Sequence, residues 1–368
     1  MAATHSRHRM VTIRDLAYET GLSVATISVV LNQAPKAQRI PWSTQNRIQE
    51  AARRLGYTPN LMARSLRSSS THNVGLLVFD ITDPYCSVIT GGIERSLSES
   101  GYMAVLTDLQ NDPMRLHSCA KMLMERRVGG VMAIANPLYF EKDLFDILSE
   151  FRVPAVIIGR EMKENGFSSV VIENEIGTHA LLKHIYKLGH REIAFIKGPE
   201  ALNDSEPRWN GICAFAKKAK LRIRPELVAQ IKGRNSSYEE GYHLTQALLK
   251  RGRRFTALVT FDDLTAFASI VALTSAGIRV PQDCSVAGFD DLPSAAFYNP
   301  PLTTVHQFLE RQGFLGGDLI KTLMGAGPGS KVKSIHRRVV PQLVVRQSTA
   351  PAPRLLPPGL VKQERQRK

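Results

Sequence analysis

A chain of 368 residues has room for two or three domains, and 43% apolar residues is ordinary for a water-soluble core. No apolar run approaches the length of a membrane-spanning helix, and the opening Met-Ala-Ala-Thr-His-Ser-Arg-His-Arg lacks the apolar core of a signal peptide, so a cytoplasmic protein without a membrane partner is expected. The net charge of +15 is concentrated at the ends: residues 1–72 hold ten Lys/Arg against three Asp/Glu, residues 331–368 hold ten against one, and the stretch between is close to neutral, as for a phosphate-contacting module on a neutral body.

Thr12 can cap a helix with Asp15 three residues on, and Ile13, Leu16 and Ala17 then share one face. Gly21 supplies the residue that tolerates positive φ just past that helix, and Ser23 can cap a second one. Two helices joined so tightly read as a helix-turn-helix, or as an αα-hairpin within some helical domain. In the second helix Ile27, Val30 and Leu31 face inward at spacings of three and four. Val24, Ala25, Ser28 and Val29 are left outward, where a recognition helix meets the major groove.

The stretch after Asn32 contains Pro35 and Pro41 and cannot continue the helix. Ser43 is expected to cap a third helix whose stripe is Ile48, Ala51, Ala52 and Leu55, with Gly56 ending it. Thr58 followed by Pro59 predicts one more short helix, to Arg67, before a polar linker of serines. About two turns with so little apolar support should fray until a partner orders them.

From residue 73 the pattern changes to α/β. Apolar runs at 74–79, 130–135, 155–158, 170–172, 193–196, 257–261 and 286–289 each read as a strand buried on both faces, and helical stretches such as 91–100 and 178–188 separate them. Parallel sheets follow, and seven or more strands fit two doubly wound lobes better than one sheet. Several strands end in polar residues: Asp80, Arg160, Asp262 with Asp263, and Asp290 with Asp291. The crevice beyond the carboxyl ends of such strands is where ligands bind, although an Asp there is as often a helix N-cap. Residues 347–368 contain four prolines and no apolar period, and are expected to form a disordered basic tail, with a solvated charge run as the plain reading of its charge.

Catalysis finds little support. Gly21-Leu22-Ser23-Val24-Ala25 is one residue short of a nucleophile elbow and lies between helices, where that motif needs a strand. Gly325-Ala326-Gly327-Pro328-Gly329 lacks the Lys-Ser/Thr of a phosphate loop. Cys86, Cys119, Cys213 and Cys284 form no metal-spaced pair and read as reduced thiols. No catalytic residue, metal or cofactor is assigned.

Taken together, residues 11–346 resemble the LacI/GalR family of bacterial transcription regulators. The resemblance rests on Thr-Ile-Arg-Asp-Leu-Ala from Thr12, Gly-Leu-Ser-Val-Ala-Thr-Ile-Ser from Gly21, and Leu-Gly-Tyr-Thr-Pro-Asn-Leu-Met-Ala-Arg-Ser-Leu from Leu55. In the body it rests on Val-Gly-Leu-Leu from Val74, Leu-Gly-His-Arg-Glu-Ile-Ala from Leu188, Val-Pro-Gln-Asp from Val280, Val-Ala-Gly-Phe-Asp-Asp from Val286 and Pro-Leu-Thr-Thr-Val from Pro301. The order and spacing of these pieces make it specific.

The resemblance implies an all-α helix-turn-helix headpiece (11–57), a hinge helix and linker (58–72), and a two-lobed periplasmic-binding-protein-like core with parallel sheets (73–346). Lobe 1 would hold about 73–174 and 306–335, and lobe 2 about 175–305 and 336–346. It further implies a repressor-like homodimer on near-palindromic double-stranded operator DNA, contacted through Thr12, Ser23, Val24, Ala25, Thr26, Ser28, Val29, Asn32, Tyr57, Asn60, Ala63, Arg64 and Leu66, with Leu66 as the minor-groove wedge. A small effector, a sugar or sugar derivative, would lie between the lobes. Arg208, in Pro-Arg-Trp-Asn-Gly from Pro207, and Asp290 match the family's effector-binding pair, and Tyr85, Arg160, Asp204 and Asp262 fall near other pocket positions. A fork of donors facing a carboxylate suits neighbouring hydroxyls. A solute-binding protein of the same core without DNA function is the alternative.

Two departures stand out. Val29 replaces the Arg or His common in the family, so it can offer only apolar contact, for example to a thymine methyl. The 33–42 connection is longer than usual and brings Lys36 and Arg39, either as added phosphate contacts or as a surface insertion.

Overall fold

The computed structural model describes residues 11–32, 35–57, 72–135, 137, 141–150, 153–161, 166–326 and 333–353. It divides into two compact units, Met1–Thr71 and His72–Lys368.

The first unit is three short helices around one small core. Helix α1 (Ile13–Thr20) opens on a complete capping box, Thr12 accepting from the Asp15 amide while the Asp15 carboxylate accepts from the Thr12 amide at 2.7 Å. Gly21 takes φ 64° and Ser23 caps α2 (Val24–Leu31). Helix α3 (Trp42–Leu55) starts one residue before the expected cap: Pro41 occupies that place and its carbonyl accepts from Thr44 and Gln45, so Ser43 lies within the first turn. Leu16, Ile27, Val30 and Ile48 fill the core, with Ile13, Ala17 and Leu31 packed against it. The expected short helix at 58–67 lies outside the described residues.

The second unit holds two parallel sheets. The larger has the order β11-β5-β4-β3-β1-β2, from β1 (Asn73–Val78), β2 (Met103–Asp108), β3 (Gly130–Ile134), β4 (Ala155–Ile158), β5 (Ser168–Ile172) and β11 (His336–Val339). The smaller is β7-β6-β8-β9, from β6 (Ile193–Lys197), β7 (Val228–Gln230), β8 (Ala257–Thr260) and β9 (Ser285–Ala287). A two-stranded antiparallel ribbon, β10 (Thr304–His306) with β12 (Gln342–Val344), completes it. All seven expected strands are present. The five additional ones are edge or three-residue strands, too short or too wet to carry a continuous apolar run: β2 exposes Met103 and Leu106.

Helices cover both sheets: α4 (Pro84–Ser98), α5 (Arg115–Glu125) and α6 (Glu141–Glu150) belong with the first; α7 (Asn174–Lys187), α8 (Ser205–Ala219), α9 (Tyr238–Lys250) and α10 (Asp263–Ser275) with the second. Helices α4 and α7 begin seven and four residues before the stretches read from the sequence. Helix α4 is started by Asp83-Pro84, a cap signal the sequence reading passed over, and the first turn of α7 opens on the polar Asn174 and Glu175. The chain crosses between lobes after β5, after β10 and before β12. On its return α11 (Leu309–Gly325) packs so closely on α4 that a Cβ on Gly92 would lie 1.9 Å from the Glu310 carbonyl, and one on Gly313 2.0 Å from that of Ile89.

Two expected boundaries need correction. Residues 336–339 belong to lobe 1 and not lobe 2, because His336–Val339 pairs in parallel with β5; a lone His-Arg-Arg-Val is recognisable as a strand only from its partner. The tail is ordered as far as residue 353. Strand β9 is the edge of its sheet, and the tail covers that edge: the Val286 amide donates to Ser348 and the Ser348 hydroxyl to Val286. Ser348 is fully buried, and Ala350 accepts from or donates to His190 and Ser285. Composition argued for disorder, and the unpaired strand edge overrode it. Residues 354–368 lie outside the described set.

Candidate effector cleft and DNA-facing helix

The strand ends of the second unit converge on one arginine. Arg208 sits in the first turn of α8, only 4% exposed. Its Nε donates to Asn174 Oδ1 at 3.0 Å and its Nη1 to the Phe261 carbonyl at 2.7 Å, while Nη2 lies 3.5 Å from Asp290 Oδ1 and 3.6 Å from Asp204 Oδ2. The guanidinium also stacks 3.9 Å from the centre of the Phe289 ring. A buried cation is tolerable only when donors and charge are both met, and here three strand or helix ends meet them. Asn174 in turn donates to Asp204 at 2.8 Å, which fixes the carboxylate that faces Arg208.

Asp290 follows β9 with φ 127°, a strained backbone for a residue bearing a Cβ, and the Gln307 amide from the crossing segment donates to its carboxylate. Burial, reinforced by Asp263, Asp262 and Asp83, outweighs Arg208 and holds the Asp290 carboxyl well above the usual range. Burial likewise pushes Asp83 up to about 7 and Asp263 up to about 8. Asp262 is the N-cap of α10, accepting from Thr265 at 2.8 Å, and it also accepts from the Ser236 hydroxyl. Capping and cleft-lining are therefore compatible roles for one strand-end Asp.

Phe79, Asp83, Tyr85, Ser236, Asp262 and Asp290 line, together with Arg208, a narrow cleft of about 20 Å³, room for roughly one water. The Tyr85 hydroxyl is buried there with no hydrogen-bond partner among the described residues. Tyr85, Arg208, Asp262 and Asp290 thus come together on one cavity, with Asp204 directly behind Arg208. Arg160 is buried two residues past β4 and is not part of this wall. Sequence reasoning missed Asp83, Asn174, Ser236 and Gln307. Asp83-Pro84 carried a helix-start signal that could have flagged the first; nothing local marks the other three.

In the first unit, Ala25 and Asn32 are exposed and Val24, Thr26, Ser28 and Val29 half-buried, while Ile27 and Val30 are inside. Ser23 and Thr26 bond each other at 2.8 Å, and the Asn32 amide closes the other end on the Ser28 carbonyl at 2.7 Å. The polar residues therefore set the ends of α2, and Ala25 with Val29 remain the open apolar face. Thr12 caps α1, and Tyr57 packs partly onto the core. Asn60, Ala63, Arg64 and Leu66 lie outside the described residues.

Among the described residues no cluster of His, Cys, Asp or Glu could hold a metal, and no helix is long and apolar enough to cross a membrane.

Comparison with known proteins agrees with this arrangement. The model for bacterial regulatory proteins of the lacI family matches residues 12–60, and that for the periplasmic binding protein-like domain matches 182–349. The transcriptional repressor PurR of Haemophilus influenzae is 30% identical over 341 residues, covering 92% of this chain and 98% of its own length. PurR of Pectobacterium atrosepticum is 31% identical over 346 residues, covering 94% and 98%. Among solved structures, the lac repressor dimer bound to operator and the anti-inducer ONPF superposes with a TM-score of 0.81 at 25% identity, covering 93% of this chain and all of the other. The regulator CelR in complex with cellobiose gives 0.68 at 26%, covering 92% and 99%. With a capped helix-turn-helix ahead of a two-lobed, parallel-sheet body built around one buried arginine, this chain belongs to the LacI family of DNA-binding bacterial regulators.

Proposed function

We propose that the protein is a cytoplasmic, homodimeric repressor whose hold on operator DNA is set by a small hydroxyl-rich effector, a sugar or sugar derivative, bound at the Arg208 cleft. The observation that carries this reading is the cleft itself. Arg208 and Asp290 form a donor fork facing a carboxylate, the Tyr85 hydroxyl is unpaired beside them, and the space they leave holds about one water. A larger ligand enters only if the lobes part or Arg208 is displaced, so ligand binding and lobe geometry are linked. Such linkage between two sites is typically worth ~1–3 kcal/mol. The cellobiose complex of CelR supports a carbohydrate.

DNA is read by α2, with Ala25 and Val29 toward base edges and Ser23, Thr26, Ser28, Asn32, Thr12, Val24 and Tyr57 around them. Asn60, Ala63, Arg64 and the wedge Leu66 follow in the hinge segment. Dimerisation is supported by apolar side chains left uncovered in both lobes: Met103 and Leu106 on the free edge of β2, Met122 on α5, Val271 on α10 and Phe297. Titration of the protein onto its own upstream DNA in a gel shift, with and without a sugar panel, tests the reading. Salt-sensitive binding that a sugar alters supports it, and indifference to DNA at low salt leaves the solute-binding alternative.

A further inference from the structure

The connection between α2 and α3 is a built feature of the first unit. Residues Pro35–Arg39 form one 3-10 turn that packs against α2. Ala37 in its middle is buried, and the Gln45 amide from α3 donates to the carbonyls of Ala37 at 3.0 Å and Ile40 at 2.8 Å. Ile40 packs onto the headpiece core. The turn is therefore pinned in its middle and at its C-terminal end, and Lys36, Gln38 and Arg39 are side chains it leaves exposed. Trp42 follows at 76% exposure, a large ring on the surface of a unit too small to leave one idle. A slack insertion would have no reason to bury its alanine or to occupy a glutamine twice.

We infer that this turn is a second DNA-contacting element, which sets Lys36 and Arg39 against backbone phosphates beside the groove entered by α2, with Trp42 against the adjoining sugar edge. The inference rests on the DNA-binding reading above. Charge complementarity supports it, since two cations are held on a rigid support directly after the recognition helix, in a segment with a net charge of +7. Cationic side chains on phosphates carry no sequence information, so this element raises affinity and fixes register while Ala25 and Val29 read bases. It also compensates for Val29, which cannot form the charged contact common at its position.

The test is the salt dependence of binding by the full-length protein to a duplex of arbitrary sequence, which needs no knowledge of the operator. Each phosphate neutralised contributes about −0.9 to the slope of log affinity against log salt. For each bound headpiece, the variant Lys36→Ala/Arg39→Ala should therefore flatten the slope by about 1.8 and weaken binding roughly thirty-fold at 0.15 M salt, with an unchanged circular dichroism melt. Lys36→Arg and Arg39→Lys should keep the slope, because a phosphate accepts either cation. Trp42→Ala should weaken binding and leave the slope alone. An unchanged slope in the double alanine variant overturns the inference while the DNA-binding reading stands; a wild-type protein without salt-dependent binding overturns both. A loss confined to protein–protein association, read by light scattering, assigns the turn to another copy of the chain and also overturns it.

Discussion

The two units of this chain place function in opposite environments. In the headpiece the residues proposed to act, Ala25 and Val29, are small, apolar and partly or fully exposed, and the polar residues beside them are used up in capping α2. In the body the residues proposed to act are charged and buried: Arg208, Asp204, Asp262 and Asp290 are each less than 10% exposed. The difference teaches what each unit can tolerate. A recognition helix needs an open face on a frame held by local bonds, so its face should be replaceable without loss of fold. A buried arginine that joins α7, α8, β8 and β9 is at once ligand site and structural pin, so site and stability there are inseparable.

The largest expected effect would break that second half of the comparison. Arg208→Ala leaves Asp290 and Asp204 buried without their cation and the Phe261 carbonyl without a donor, which should cost about 3–5 kcal/mol of body stability in urea unfolding. A body as stable as wild type would show that Arg208 serves the ligand alone.

The pH dependence sharpens the same point. Asp83 has its folded pKa raised to about 7, well above that of the unfolded chain, so its protonated form stabilises the fold fully below about pH 4 and that contribution is lost as pH rises through 7. Wild-type stability should carry from this group a decline of about 1.4 kcal/mol per pH unit within that window. Asp83→Asn keeps the capping oxygen for the Tyr85 amide and should remove the decline; an identical profile in the variant would place the sensitivity elsewhere, with Asp263, raised to about 8, next to be tried.

A smaller loss is expected from the tail. Ser348→Ala deletes a hydroxyl that donates to the Val286 carbonyl and accepts from the Thr303 amide, all buried, and should cost about 1–3 kcal/mol by denaturant midpoint. The smallest effect belongs to the headpiece. Val29→Ala should leave the melting temperature within a degree or two while weakening operator binding by about 1 kcal/mol, roughly fivefold, with the loss confined to duplexes carrying thymine at one half-site position. A stability loss as large as the binding loss would erase the contrast between the units.

Much was legible from residue order because the causes are local. Thr12 with Asp15, Gly21, Ser23 and Gly56 act within a turn of their own helices, so caps and stops could be assigned without a partner. Strands buried on both faces advertise themselves as apolar runs, which is why β3, β4 and β8 could be read directly. The Arg208–Asp290 pairing entered through family resemblance, and no spacing rule links two residues so far apart in the chain.

What residue order determined by itself is therefore the headpiece helices, the alternation that makes the body α/β, and the concentration of positive charge at the two ends, since each follows from interactions within a few residues or from composition. Tertiary structure alone decided that His336–Val339 joins the first lobe, that Ser348 and Ala350 bond β9, that Asn174, Ser236 and Gln307 belong to the cleft, and that Gln45 holds the turn carrying Lys36 and Arg39. In each of these a hydrogen-bonding group finds a partner remote in sequence or brought round by a turn, and its conformation is set by that partner and not by its own neighbours.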